Sequence, residues 1–169
     1  MTFKIGDRVV HPQYGIGNIV KLEEREFEPG VIRSYYEVSI PGGSTVWVPL
    51  DLTTSGLRSL AVRSEINECR KILGAQPSPL IGDSRFRPSE LVAHLKQGTV
   101  AAHCEVVRDL SDFVSHKPMH GPIVALLEAI QNVLCQEWAI VEGISDSEAI
   151  YEISSLLQKS RLTVGENKS

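Results

Sequence analysis

The apolar residues of this chain change period once, near Val62, and that single change constrains the fold more than any motif does. A period of two sends side chains to alternate faces of a strand, whereas a period of 3.6 gathers them on one face of a helix. Before Val62 the chain reads as short strands between turns. Residues 7–11 are β-branched and run into Pro12-Gln13-Tyr14-Gly15, while residues 16–27 are long enough for a bent strand that stops at Glu28-Pro29-Gly30. Residues 31–40 pair with that strand as a hairpin, Pro41-Gly42-Gly43 turns the chain, and Thr45, Trp47 and Pro49 then alternate with Val46 and Val48. Residues 57–62 supply a last strand. Short strands separated by Gly/Pro turns predict a small β-barrel.

After Val62 the spacing is helical. Ile66, Cys69, Ile72 and Leu73 form one stripe, with Gly74 placed to end the helix. Residues 76–83 hold two prolines and a glycine and read as a linker. Pro88 suits the first turn of the next helix, with Leu91, Val92 and Leu95 inward and Gly98 as the stop. Thr99 can cap a third helix carrying Val100, Cys104, Val107 and Val114 on one side. Pro122 opens a fourth, in which Ile123, Leu126, Leu127, Ile130, Val133, Leu134, Trp138 and Val141 keep helical spacing. Ser145-Asp146-Ser147-Glu148 is a capping box before Ile150, Ile153, Leu156 and Leu157, and the tail from Thr163 reads as frayed. The fold class is therefore α+β, with a β domain over residues 1–62 and an all-α bundle over residues 63–169.

At 169 residues the chain suits one ordinary domain or two small ones. The N-terminus lacks the apolar stretch of a secretory signal, and the absence of an 18-residue apolar run argues against a membrane span. Three widely spaced cysteines, Cys69, Cys104 and Cys135, form no C-x-x-C pair, which speaks against a disulfide framework and for a reducing cytoplasm. The formal charge of −4 is uneven: residues 1–75 carry nine basic and nine acidic side chains, residues 76–169 eight and twelve. A domain that grips DNA unaided shows a basic excess, and neither half has one.

No catalytic constellation emerges, and an enzyme is not expected. His103 and Cys104 are neighbours, but adjacent helical residues point about 100° apart and cannot share a metal or a proton; the sequence reading puts Cys104 in the core and His103 on the surface. His11, His94, His116 and His120 are scattered and are not read as a helical zinc pair. Gly15 and Gly17 form a G-x-G, but a strand follows it and no third glycine, so these residues are read as allowing positive φ or close packing rather than a dinucleotide site. No metal or cofactor is expected.

Taken together, Phe3-Lys4-Ile5-Gly6-Asp7-Arg8-Val9-Val10-His11-Pro12, with Tyr14, Gly15 and Gly17 after it, resembles the opening of the CarD family of bacterial transcription regulators. Tyr35-Tyr36-Glu37-Val38 and Val46-x-Val48-Pro49 follow at that family's spacing, and Leu95-Lys96-Gln97-Gly98-Thr99-Val100 and Val106-Val107-Arg108-Asp109-Leu110 resemble its two helical signatures. The same module sits in transcription-repair coupling factor, but this chain has no Walker A sequence. The resemblance implies a Tudor-like barrel that adds its edge strand to the β-lobe of the RNA polymerase β subunit. It also implies a helical domain that reaches promoter DNA at the upstream edge of the bubble and modulates open-complex stability. Strand addition draws affinity from main-chain hydrogen bonds and specificity from alternate side chains. The matching polymerase-binding residues are Thr45, Val46, Trp47, Val48 and Pro49, with Arg25 from the preceding hairpin; Trp47 either faces the partner or completes the barrel.

Family members place a Trp just before an Arg pair where the second helical segment begins. Here the position holds Ser84, followed by Arg85, Phe86 and Arg87, so the DNA-facing residues implied are Ser84 to Arg87 with Phe86 as a substitute wedge or a packing residue. Residues 85–117 carry five basic and four acidic side chains, so DNA contact is expected to be weak and confined to the polymerase complex. The chain is expected to be a cytoplasmic monomer. A second reading is a polymerase- or protein-binding adaptor whose helical domain has lost DNA contact and which could antagonise a typical paralogue.

Overall fold

The computed structural model describes residues 3–51, 56–78, 88–116 and 121–166. Five strands come first: β1 (Arg8–His11), β2 (Gly15–Glu28), β3 (Val31–Ser39), β4 (Thr45–Pro49) and β5 (Arg58–Ser59). They form one antiparallel sheet in the order β4-β3-β2-β1-β5. The sheet curls around Phe3, Val9, Ile19, Tyr36, Val38, Val48 and Leu57. Tyr36 is buried, accepts a hydrogen bond from the Phe3 amide at 3.1 Å, and meets the Phe3 ring edge-on at 5.8 Å. Two glycines serve the turn and the curl. Gly15 has φ of +109°, which only glycine adopts without strain, and a Cβ on Gly17 would lie 2.3 Å from the Ser39 carbonyl oxygen.

Five helices follow: α1 (Arg63–Gly74), α2 (Pro88–Leu95), α3 (Val100–His116), α4 (Gly121–Glu142) and α5 (Asp146–Glu166). The caps form as the sequence predicts, with the Ala102 amide donating to Thr99 Oγ1 at 3.0 Å and the Glu148 amide to Ser145 Oγ at 3.1 Å. Three details differ. Gly74 ends α1 without a left-handed turn, the cap residue being Ala75 in extended conformation. Ile150 is exposed beside Tyr151, so the inward stripe of α5 is Ala149, Ile153 and Leu157. The α5 backbone stays helical to Glu166 rather than fraying at Thr163.

Within the bundle α1, α3, α4 and α5 enclose Ile66, Leu73, Leu110, Ile130, Leu134, Trp138 and Ile153. By length and composition α4 could cross a bilayer, so the lack of an 18-residue apolar run is not a sufficient exclusion. In this fold α4 is instead a core helix that buries Ile130, Leu134 and Trp138 and carries the buried carboxylate of Glu137.

That carboxylate joins the two halves. Arg58 on β5 grips it with both terminal nitrogens, at 2.6 and 2.7 Å, and the Ala61 amide donates to it at 2.8 Å. His103 completes the cluster and overturns its assignment to the surface: it is 1% exposed, and Nε2 donates to the Ile130 carbonyl at 2.7 Å. A helical residue one place from Cys104 is turned about 100° from it, and here both directions are inward because α3 is flanked on two sides. Burial pushes the His103 pKa down to about 4, with the Arg58 charge acting in the same direction, so the ring is neutral. Val10, Ile16 and Val133 form a second, apolar contact between sheet and α4.

Candidate functional site

The unpaired edge of β4 is the part of the sheet with unused bonding capacity. Its register against β3 pairs Tyr36 with Val48, Glu37 with Trp47 and Val38 with Val46. At the two ends of the ladder the Leu50 amide donates to the Ser34 carbonyl at 3.1 Å and the Ile40 amide to the Ser44 carbonyl at 3.0 Å. Antiparallel pairing alternates, so these bonds set its phase: Val46 and Val48 turn their main-chain groups toward β3. Thr45, Trp47 and Pro49 turn theirs outward. Among the described residues no strand pairs with that outward edge, which presents two amides, from Thr45 and Trp47, and three carbonyls, since Pro49 has no N–H.

Side chains divide along the same lines. Val48 is buried and Val46 packs beside it, while Trp47 lies on the outer face, half-buried and outside the core. Arg25 Cζ sits 4.5 Å from the Trp47 ring centroid and its Nη2 lies 3.3 Å from Glu23 Oε2. Phe27 meets Tyr35 edge-on at 5.0 Å and Trp47 at 6.4 Å, and it is 58% exposed. Arg25 and Trp47 are thus brought together, and Phe27 and Tyr35 extend them into one aromatic face with a cation on it. The signal for Phe27 was in the sequence, two residues beyond Arg25 and so on the same face of β2. A β-bulge between Ile19 and Lys21 shifts the register and puts Tyr35 on this face while Tyr36 fills the core.

Ser84, Arg85, Phe86 and Arg87 lie outside the described residues. Arg108 and Asp109 hold the connection after α1: Arg108 Nη1 donates to the Ile72 carbonyl at 3.2 Å, and Asp109 Oδ1 accepts from Arg108 Nε at 2.8 Å and from the Ser78 amide at 3.0 Å. Among the described residues no group of three His, Cys, Asp or Glu side chains is placed to hold a metal. His116 and His120 do stand four apart in sequence, but Pro118 separates them and α3 ends at His116. Cys104 is buried against Cys69, and burial pushes its thiol pKa well up, which disfavours the thiolate.

Residues 3–61 match the family model of the CarD-like/TRCF RID domain. Over 148 residues the chain is 25% identical to a Bacillus subtilis (strain 168) protein named "Putative transcription factor YdeB", an alignment that spans 86% of this chain and 96% of that protein.

Proposed function

This chain belongs to the CarD-like family, and from that premise we propose that it is a non-catalytic transcription regulator that binds RNA polymerase by adding β4 to a strand of the β-lobe. The observation that carries the reading is the outward edge of β4, where two amides and three carbonyls lie beside the Arg25–Trp47 stack. An incoming strand satisfies the free main-chain groups, and the aromatic face supplies the contact that selects it.

The helical domain then modulates promoter opening, with Arg85, Phe86 and Arg87 as the residues nearest upstream DNA. A net charge of −4 repels phosphate, so DNA is met only after docking, when tethering raises its effective concentration to roughly millimolar. The test is binding of the full chain to isolated β-lobe, followed by open-complex lifetime with and without the protein. Binding with an altered lifetime supports the whole reading. Binding with an unchanged lifetime leaves a polymerase-bound adaptor, and no binding removes the docking step.

A further inference from the structure

The outward edge of β4 does not face open solvent along its whole length. It borders a cleft of about 310 Å³ whose near wall is residues 46–49 and whose far wall is His11, Pro12, Gln13 and Tyr14 from the β1–β2 turn, with Leu95 and Lys96 from the end of α2. We propose that this cleft is a composite groove for an extended peptide strand, so that the β1–β2 turn and the helical domain, through Tyr14 and Lys96, take part in polymerase docking. The inference rests on the docking reading above and extends the contact to a second wall and a second domain.

The far wall is preformed. The Gln13 and Tyr14 amides both donate to His11 Nδ1 at 3.2 Å, and the His11 and Tyr14 rings meet at 4.6 Å, tilted by 41°. That arrangement fixes the turn and leaves the Tyr14 ring 54% exposed. Gly56 closes the seam between turn and helix. With φ of +74°, it sits where a Cβ would lie 3.1 Å from the Leu95 carbonyl oxygen and 3.3 Å from Pro12 Cγ. The two parts of the far wall, the β1–β2 turn and the end of α2, are therefore held together by close packing.

The groove selects its occupant by chemistry. Free main-chain donors and acceptors along one wall call for an extended backbone, since the interior of a helix has no unpaired main-chain groups to offer them. Pro49 supplies no N–H, so the ladder of added bonds stops there. Lys96 is exposed on the far wall and Arg25 flanks Trp47 on the sheet face, so acidic side chains on the incoming strand meet a cation on either side.

Full-length protein is titrated against immobilised β-lobe as wild type, Trp47→Ala, Tyr14→Ala, Lys96→Glu and, as a remote control, Tyr151→Ala. Tyr14→Ala should weaken binding about tenfold, as loss of an interface aromatic does. Lys96→Glu should weaken it by several-fold, an effect that shrinks as salt rises. Circular dichroism confirms that each variant is folded, which the exposure of Tyr14 and Lys96 favours. If Trp47→Ala weakens binding while Tyr14→Ala and Lys96→Glu bind as wild type, the second wall is overturned and strand docking stands. If wild-type protein does not bind the lobe, the docking reading falls and takes the groove with it.

Discussion

Removing the Glu137 carboxylate should unseat the sheet from the bundle. Arg58 is 7% exposed and Glu137 fully buried, and the carboxylate takes two bonds of 2.6 and 2.7 Å from Arg58 and one of 2.8 Å from the Ala61 amide. Glu137→Ala strands a buried guanidinium and a buried amide, which costs about 3–5 kcal/mol when one partner of a buried pair is deleted. A domain of ordinary stability has about 5–15 kcal/mol in all, so the variant should be folded but marginal. Replacing both partners, Arg58→Met with Glu137→Leu, removes the uncompensated charge and leaves mainly the Ala61 amide unpaired, at about 1–3 kcal/mol. The double variant should therefore be more stable than Glu137→Ala alone. Urea unfolding followed by far-UV circular dichroism gives the four corners of the cycle. A loss under about 1 kcal/mol for Glu137→Ala, or a double variant as unstable as the sum of the singles, refutes the reasoning.

Three further outcomes follow from particular contacts. Trp47→Ala should weaken β-lobe binding by about 2 kcal/mol with a smaller loss of stability, because the ring lies on the sheet's outer face; a large stability loss with retained binding would assign Trp47 to the fold alone. Thr45→Pro should weaken the same binding by deleting an outward amide at the first residue of β4, whereas Val48→Pro should unfold the sheet by deleting an amide turned to β3; thermal melts and lobe titrations separate the two. His103 has its pKa lowered from 6.5 to about 4, so the folded protein resists a proton that the unfolded chain accepts. Its contribution, about 3 kcal/mol at most, is fully present above pH 6.5 and lost as pH falls toward 4; His11 is lowered in the same way, and an unchanged urea midpoint between pH 7 and 5 would contradict both.

Much of the fold is legible in the sequence because its signals are local. Strand alternation, the Gly/Pro turns, the Thr99 cap and the Ser145–Glu148 box each involve residues a few places apart, and each forms. The Arg58–Glu137–His103 cluster is invisible at that range, since its members are 45 and 79 positions apart and each looks like an ordinary surface residue. The aromatic face falls between these cases. Arg25 and Phe27 share a face by simple alternation, but whether Tyr35 or Tyr36 joins them depends on one bulge residue, and a slip of one position exchanges core for surface.

The contact between sheet and bundle bears on function because docking and promoter opening are assigned to different halves of the chain. If the sheet holds polymerase while the bundle meets DNA, a fixed angle between them converts docking into placement, and a loose one spreads the bundle over many orientations. Val133→Ala tests this without touching the β4 edge. It removes two methyl-sized groups from the small cluster with Val10 and Ile16, leaves the Arg58–Glu137 pair in place, and should cost about 2 kcal/mol by the scale of buried aliphatic truncation. Lobe affinity should stay within about twofold of wild type, because none of the outward groups of β4 is altered. The change that the protein makes to open-complex lifetime should shrink, since the effective concentration of the bundle at the DNA falls as its orientations multiply. An unaltered effect on lifetime, in a variant shown by its melt to have lost that stability, would mean that the orientation of the bundle is set by polymerase or DNA rather than by the sheet–α4 contact.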